Sequence, residues 1–79
     1  MEKQEINEKI VHVMSVVFEV DENDINEDSS ADTIDKWDSL RQLNLILALE
    51  EEFGVSIPDE EVGNMVNYKI IHHVINEML

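Results

Sequence analysis

The chain has 79 residues, enough for one domain with a modest core that buries roughly 60% of the unfolded surface. Nineteen Asp and Glu against five Lys and Arg give a formal net charge of −14, which repels nucleic acid and anionic membranes and attracts basic protein surfaces. Cysteine is absent, so disulfides and thiolate metal sites are excluded, and no apolar run approaches the roughly 20 residues that span a bilayer.

High charge with few aromatics can signify disorder. Here 43% of residues are apolar, and their periodic placement predicts a folded single domain over residues 1–79. No signal-peptide pattern opens the chain, so a soluble cytoplasmic protein without membrane insertion is expected.

From Gln4 to Val20, Ile6, Ile10, Val13, Met14 and Val17 recur at helical spacing and predict a first amphipathic helix. Val16, Phe18 and Val20 widen the stripe, and Glu5 and Lys9 form an i,i+4 pair on the other side. Asp21 to Trp37 is rich in residues whose side chains compete for the backbone, and reads as a long loop. Ile25, Ile34 and Trp37 are its apolar anchors. Its length suggests a crossover between two roughly parallel helices, with a short helical turn near Asp32 to Asp35.

A second helix is expected over Ser39 to Phe53, with Asp38 as N-cap and Ser39 at the first helical position. Leu40, Leu43, Leu45, Ile46, Leu47, Leu49 and Phe53 fill more than half its circumference, an arc that predicts contact on more than one side. Arg41, Asn44, Ala48, Glu51 and Glu52 share the remaining strip, and Gly54 marks the stop. Pro58-Asp59-Glu60-Glu61 opens a short third helix limited by Gly63 and Asn64. Asn67 caps a last helix from Tyr68 to Met78.

Three blocks in this order carry a family resemblance: Trp37-Asp38-Ser39-Leu40, Ala48-Leu49-Glu50-Glu51-Glu52-Phe53, and Ile57-Pro58-Asp59-Glu60-Glu61. The chain resembles an acyl carrier protein over nearly its whole length. The resemblance implies an all-α four-helix bundle, with three long helices, one short third helix and a long loop between the first two. It implies a non-catalytic carrier whose 4′-phosphopantetheine, taken from coenzyme A, is joined to Ser39 by a phosphodiester, with Asp38 and Leu40 beside it. The implied partners are a phosphopantetheinyl transferase using Mg²⁺, an acyl- or aminoacyl-loading ligase and downstream acyl-transfer enzymes; the expected state is a monomer. A phosphodiester at Ser39 would meet free N–H groups and the positive end of the helix dipole.

Two features depart from fatty-acid carriers. The positions after Asp38-Ser39-Leu40 are commonly acidic there, whereas this chain has Arg41 and Asn44. The approach from Ser29 to Trp37 also lacks the more usual glycine. Both look more like carriers of specialised pathways, such as surface-polysaccharide, polyketide or amino-acid-loading clusters, with fatty-acid or polyketide synthesis as the other expected setting. By resemblance, Leu40, Arg41, Leu47, Glu51 and Glu52 are candidates for partner recognition. The inner surfaces of Phe53, Ile57, Met65 and Ile71 are candidates to line a space for an attached chain.

Other candidates are weaker. Ser15, Ser29, Ser30 and Ser56 do not open a long helix within the motif. Asp24, Asn26 and Asp28 occupy the first, third and fifth positions of a calcium loop, but Ser29 replaces the required glycine and Asp35 the closing glutamate. His72 and His73 are adjacent and diverge on a helix, and His12 faces away from the stripe. No metal site is expected. An aminoacyl carrier, or an acidic calcium-responsive docking module without a prosthetic group, are the alternatives.

Overall fold

The stripe Ile6, Ile10, Val13, Met14 closes into the inner face of a helix, α1 (Lys3–Phe18), with all four side chains and Phe18 buried. The computed structural model describes residues 2–79; Met1, the first residue of the expected domain, lies outside them. The helix ends two residues before the expected Val20, because Glu19 turns left-handed at φ 55°. Val16, expected to widen the apolar stripe, is exposed.

The next long helix, α2 (Ser39–Phe53), begins and ends where the local signals place it. The Asp38 carboxylate accepts from the Arg41 N–H at 2.8 Å, and Gly54 closes the helix at φ 65°, a conformation that glycine enters without the strain of a side chain. A short helix α3 (Asp59–Val62) follows Pro58, which serves as its N-cap rather than its first residue. The last helix, α4 (Tyr68–Met78), is capped by Asn67, whose side chain accepts from the Ile70 N–H at 2.8 Å. No regular strand occurs among the described residues.

The expected parallel crossover between α1 and α2 is corrected. Arg41 at the start of α2 reaches Val17 at the end of α1, while Lys9 lies over Phe53 at the end of α2, 5.9 Å from the ring centroid. The two helices therefore run antiparallel. The long loop uses its length to bury anchors instead: Ile25, Ile34 and Trp37 all join the core, and Trp37 stacks on Phe18 with ring centroids 4.5 Å apart. A 3-10 turn at Glu22–Asp24 starts the loop. The turn expected near Asp32 sits slightly earlier, with Thr33 and Ile34 N–H groups both donating to Ser30 O. The loop is tied to the α3–α4 junction by an antiparallel bridge between Ser30 and Asn67. There the Ala31 N–H donates to Val66 O and the Tyr68 N–H to Ser29 O.

The core is one cluster drawn from all three long helices and the connectors. Phe53, Ile57, Met65 and Ile71, expected to line a space for an attached chain, are packed inside it. The broad apolar arc of α2 does not find contact all round. Leu45, Ile46, Leu49 and Phe53 are buried, but Leu40, Leu43 and Leu47 keep 68%, 56% and 64% of their surface exposed.

Candidate carrier site

The first turn of α2 assembles the site. Ser39 is its first residue and is exposed. The early N–H groups of a helix have no carbonyl four residues back, so Ser39 and Leu40 present unpaired donors at the positive end of the dipole. Asp38 occupies the third donor, that of Arg41, and the Gln42 N–H closes onto Asp38 O at 2.9 Å. The result is a fixed helix start with a serine oxygen at its mouth.

Three neighbours brace this turn. Gln42 donates to Val62 O at 2.8 Å and Met65 O at 3.0 Å, which satisfies one carbonyl at the end of α3 and one in the connector that follows. Its side-chain oxygen accepts from Trp37 Nε1 at 2.5 Å, linking the loop to the same helix. Arg41 turns away from Ser39 toward α1, donating to Val17 O at 2.5 Å and to Glu19 at 2.8 Å. Lys36 lies 3.6 Å from the same Glu19 carboxylate. The Arg41 hydrogen bond, and then the charge of Lys36, hold the Glu19 carboxyl below the usual carboxylate range. Gln42 and Glu19 carry no motif; a polar side chain inside a leucine-rich helix is the only signal that marks Gln42 in the sequence.

A groove of about 520 Å³ opens beside the serine. Ser39 and Asp38 stand at its edge, Leu43, Val62 and Val66 form apolar walls, and Gln42 lines it as well. Phe53, Ile57, Met65 and Ile71 do not line it. An exposed hydroxyl, unpaired helix donors and an apolar trough suit a phosphodiester followed by a flexible arm.

Of the residues expected to meet partners, Leu40, Leu47, Glu51 and Glu52 are exposed. Arg41 is half-buried and its guanidinium is engaged with α1. Of the calcium-loop positions, Asn26 is engaged locally: its Oδ1 accepts from the Asp28 N–H, and its own N–H donates to Ser29 Oγ. No group of three or more potential metal-ligating His, Asp or Glu side chains occurs among the described residues.

A second cavity, of about 600 Å³, lies between α1, the loop and α4, and shares no lining residue with the groove. Tyr68 donates there to Asn7 at 2.8 Å; burial, then the charge of Glu27, raises its phenol above the usual value. His72 lines the same cavity, and its Nε2 is buried without a hydrogen-bond partner among the described residues. Burial, then Lys3 and His73, lowers its imidazole below the usual value.

A helical bundle that displays a serine at a capped helix start has the geometry of a carrier for a covalently attached group. Residues 8–67 match the family model described as a phosphopantetheine attachment site. An acyl carrier protein of Thermosynechococcus vestitus is 40% identical over 77 residues, covering 96% of this chain and 94% of the relative. One from Petrotoga mobilis is 35% identical over 80 residues, covering 100% and 93%. The solution structure of a holo acyl carrier protein from Geobacter metallireducens superposes with a TM-score of 0.80 at 25% identity, covering 91% of this chain and 83% of that one. The chain belongs to the acyl carrier protein family. Its prosthetic group is covalently bound 4′-phosphopantetheine, and its role is to carry, not to catalyse.

Proposed function

We propose that Ser39 is the attachment point of the 4′-phosphopantetheine, and that the chain presents acyl groups on it to enzymes of a specialised biosynthetic pathway. The observation that carries this reading is the exposed Ser39 at the capped start of α2, bordering an apolar groove. In priming, the Ser39 oxygen forms the new bond to phosphorus and the pyrophosphate bond of coenzyme A breaks. Adenosine 3′,5′-bisphosphate leaves, and the hydroxyl proton passes to the transferase. The arm supplies a thiol that holds the acyl group as a thioester. This chain supplies the helix donors that meet the phosphodiester, the Asp38 cap that holds the turn, and an apolar trough for the arm.

Leu40, Leu47, Glu51 and Glu52 are exposed along α2, from Leu40 beside Ser39 to the two glutamates near the far end of the helix, and the reading assigns them to contact with the transferase, a loading ligase and acyl-transfer enzymes. Arg41, expected in the same set, is directed at α1. The specialised pathway is inferred from the absence of acidic residues in the first two turns of α2. The chain acts as a monomer in the cytoplasm in this reading. Intact mass after incubation with coenzyme A and a promiscuous phosphopantetheinyl transferase tests the site. The wild type gains one phosphopantetheine and Ser39→Ala gains none; an unmodified wild type, or a modified Ser39→Ala, refutes the assignment.

A further inference from the structure

Ser39 is flanked on both sides by cations that converge on one carboxylate. Lys36, three residues before it, and Arg41, two residues after it, both contact Glu19 Oε2, at 3.6 and 2.8 Å. Glu19 is the sole non-glycine residue at positive φ among the described residues, at the left-handed end of α1. The Arg41 guanidinium also donates to Val17 O, one of the last carbonyls of α1, which have no N–H partner within the helix. The backbone N–H of the same Arg41 is the donor that Asp38 caps. Arg41 therefore belongs to both helix ends at once: its side chain caps α1 while its backbone completes the start of α2.

We propose that Glu19 and Arg41 form a positioning latch for Ser39, which fixes the first turn of α2 against the end of α1 so that the hydroxyl stands at one place when the transferase arrives. The latch rests on the reading of Ser39 as the attachment point. A planar guanidinium holds a carbonyl and a carboxylate together as an ammonium does not. The Glu19 side chain is 59% exposed, and exposed ion pairs contribute little to stability. The exposed Glu19 contact thus acts on placement more than on folding, while the half-buried Arg41 bond to Val17 O holds the end of α1. A backbone held at positive φ by a glutamate is strained, and a glycine there would relieve the strain. From this position the Glu19 carboxylate meets both flanks of the serine, a contact that glycine could not make.

Strain and placement make opposite forecasts for Glu19→Gly. The variant removes the carboxylate and relieves the backbone, so its melting temperature holds or rises. Its priming by a phosphopantetheinyl transferase with coenzyme A falls about tenfold in kcat, since a small misplacement of a reacting group slows the chemical step, while KM stays within about twofold of the wild type. Arg41→Lys, which keeps the charge and loses the fork, shows the same split between kcat and KM. Wild-type kcat in both variants overturns the latch. A rate loss that tracks a lower melting temperature in both also overturns it, because the contacts would then serve folding alone. An unmodified wild type overturns the Ser39 assignment instead.

Discussion

The two faces of α2 are built from the same residue type and meet opposite fates. Leu45 and Leu49 have no exposed surface, whereas Leu40, Leu43 and Leu47 are more than half exposed. The inner leucines are enclosed by the core cluster; the outer ones keep more than half of their surface free, with Leu43 on the wall of the groove beside Ser39. Leucine content along a helix therefore measures how much apolar surface exists, and only the neighbouring helices decide how much of it becomes core. In a carrier the outer set is available for binding.

Three measurements can break or sharpen that contrast. The largest expected effect is at Leu49, where truncation to Ala removes buried methyl groups and costs about 2–5 kcal/mol in chemical denaturation. Leu47→Ala, on the same helix two residues earlier, stays within about 0.5 kcal/mol of the wild type. Equal losses at the two positions would erase the distinction between the faces. The next effect is at the caps. Asp38→Ala and Asn67→Ala each remove a side-chain acceptor from a helix start and each cost about 1 kcal/mol. Only Asp38→Ala should also slow priming, because only that cap lies beside Ser39; equal priming in both variants would separate capping from the carrier function.

The smallest effect concerns pH and the rear cavity. The unfolded chain takes up the His72 proton near the usual imidazole value of about 6.5, and the folded chain does so at lower pH because burial disfavours the cation. Between those two values the unfolded state binds more protons, so stability falls as pH drops through that window and levels off below it. His72→Gln should flatten this part of the melting-temperature profile relative to the wild type. An unchanged profile would place the acid sensitivity elsewhere.

What could be read from the sequence was what is decided locally. Asp38, Gly54 and Asn67 mark helix ends by chemistry within a few residues, and the structure places those ends accordingly. The end of α1 is not legible, since Glu19 carries neither a glycine nor a proline signal, and Arg41, which donates to its carboxylate, is 22 residues away. The direction of α1 against α2 is hidden for a related reason: loop length limits how far a chain can travel and leaves its return path open. The wide apolar arc of α2 predicts contact on more than one side because amphipathicity reports area rather than neighbours; Leu40 and Leu47, at the edge of that arc, are exposed. At the site, the serine and its cap could be found from one short motif, but Gln42 and Glu19 act through partners brought together only by folding.

The hydrogen bond from Tyr68 to Asn7 joins residues 61 positions apart, and the nearby Ser30–Asn67 bridge stitches the long loop to the same end of the molecule. Such closures are entropically expensive until the chain between them is compact. Helical proteins dominated by local contacts fold quickly, and non-local pairings slow the search. The order of events follows. Individual helices can flicker into existence early, but the loop acquires its shape only once α4 has returned to α1. During synthesis the ordered loop, and with it the braced start of α2, therefore has to wait for the α3–α4 junction that supplies Val62, Met65, Val66 and Asn67.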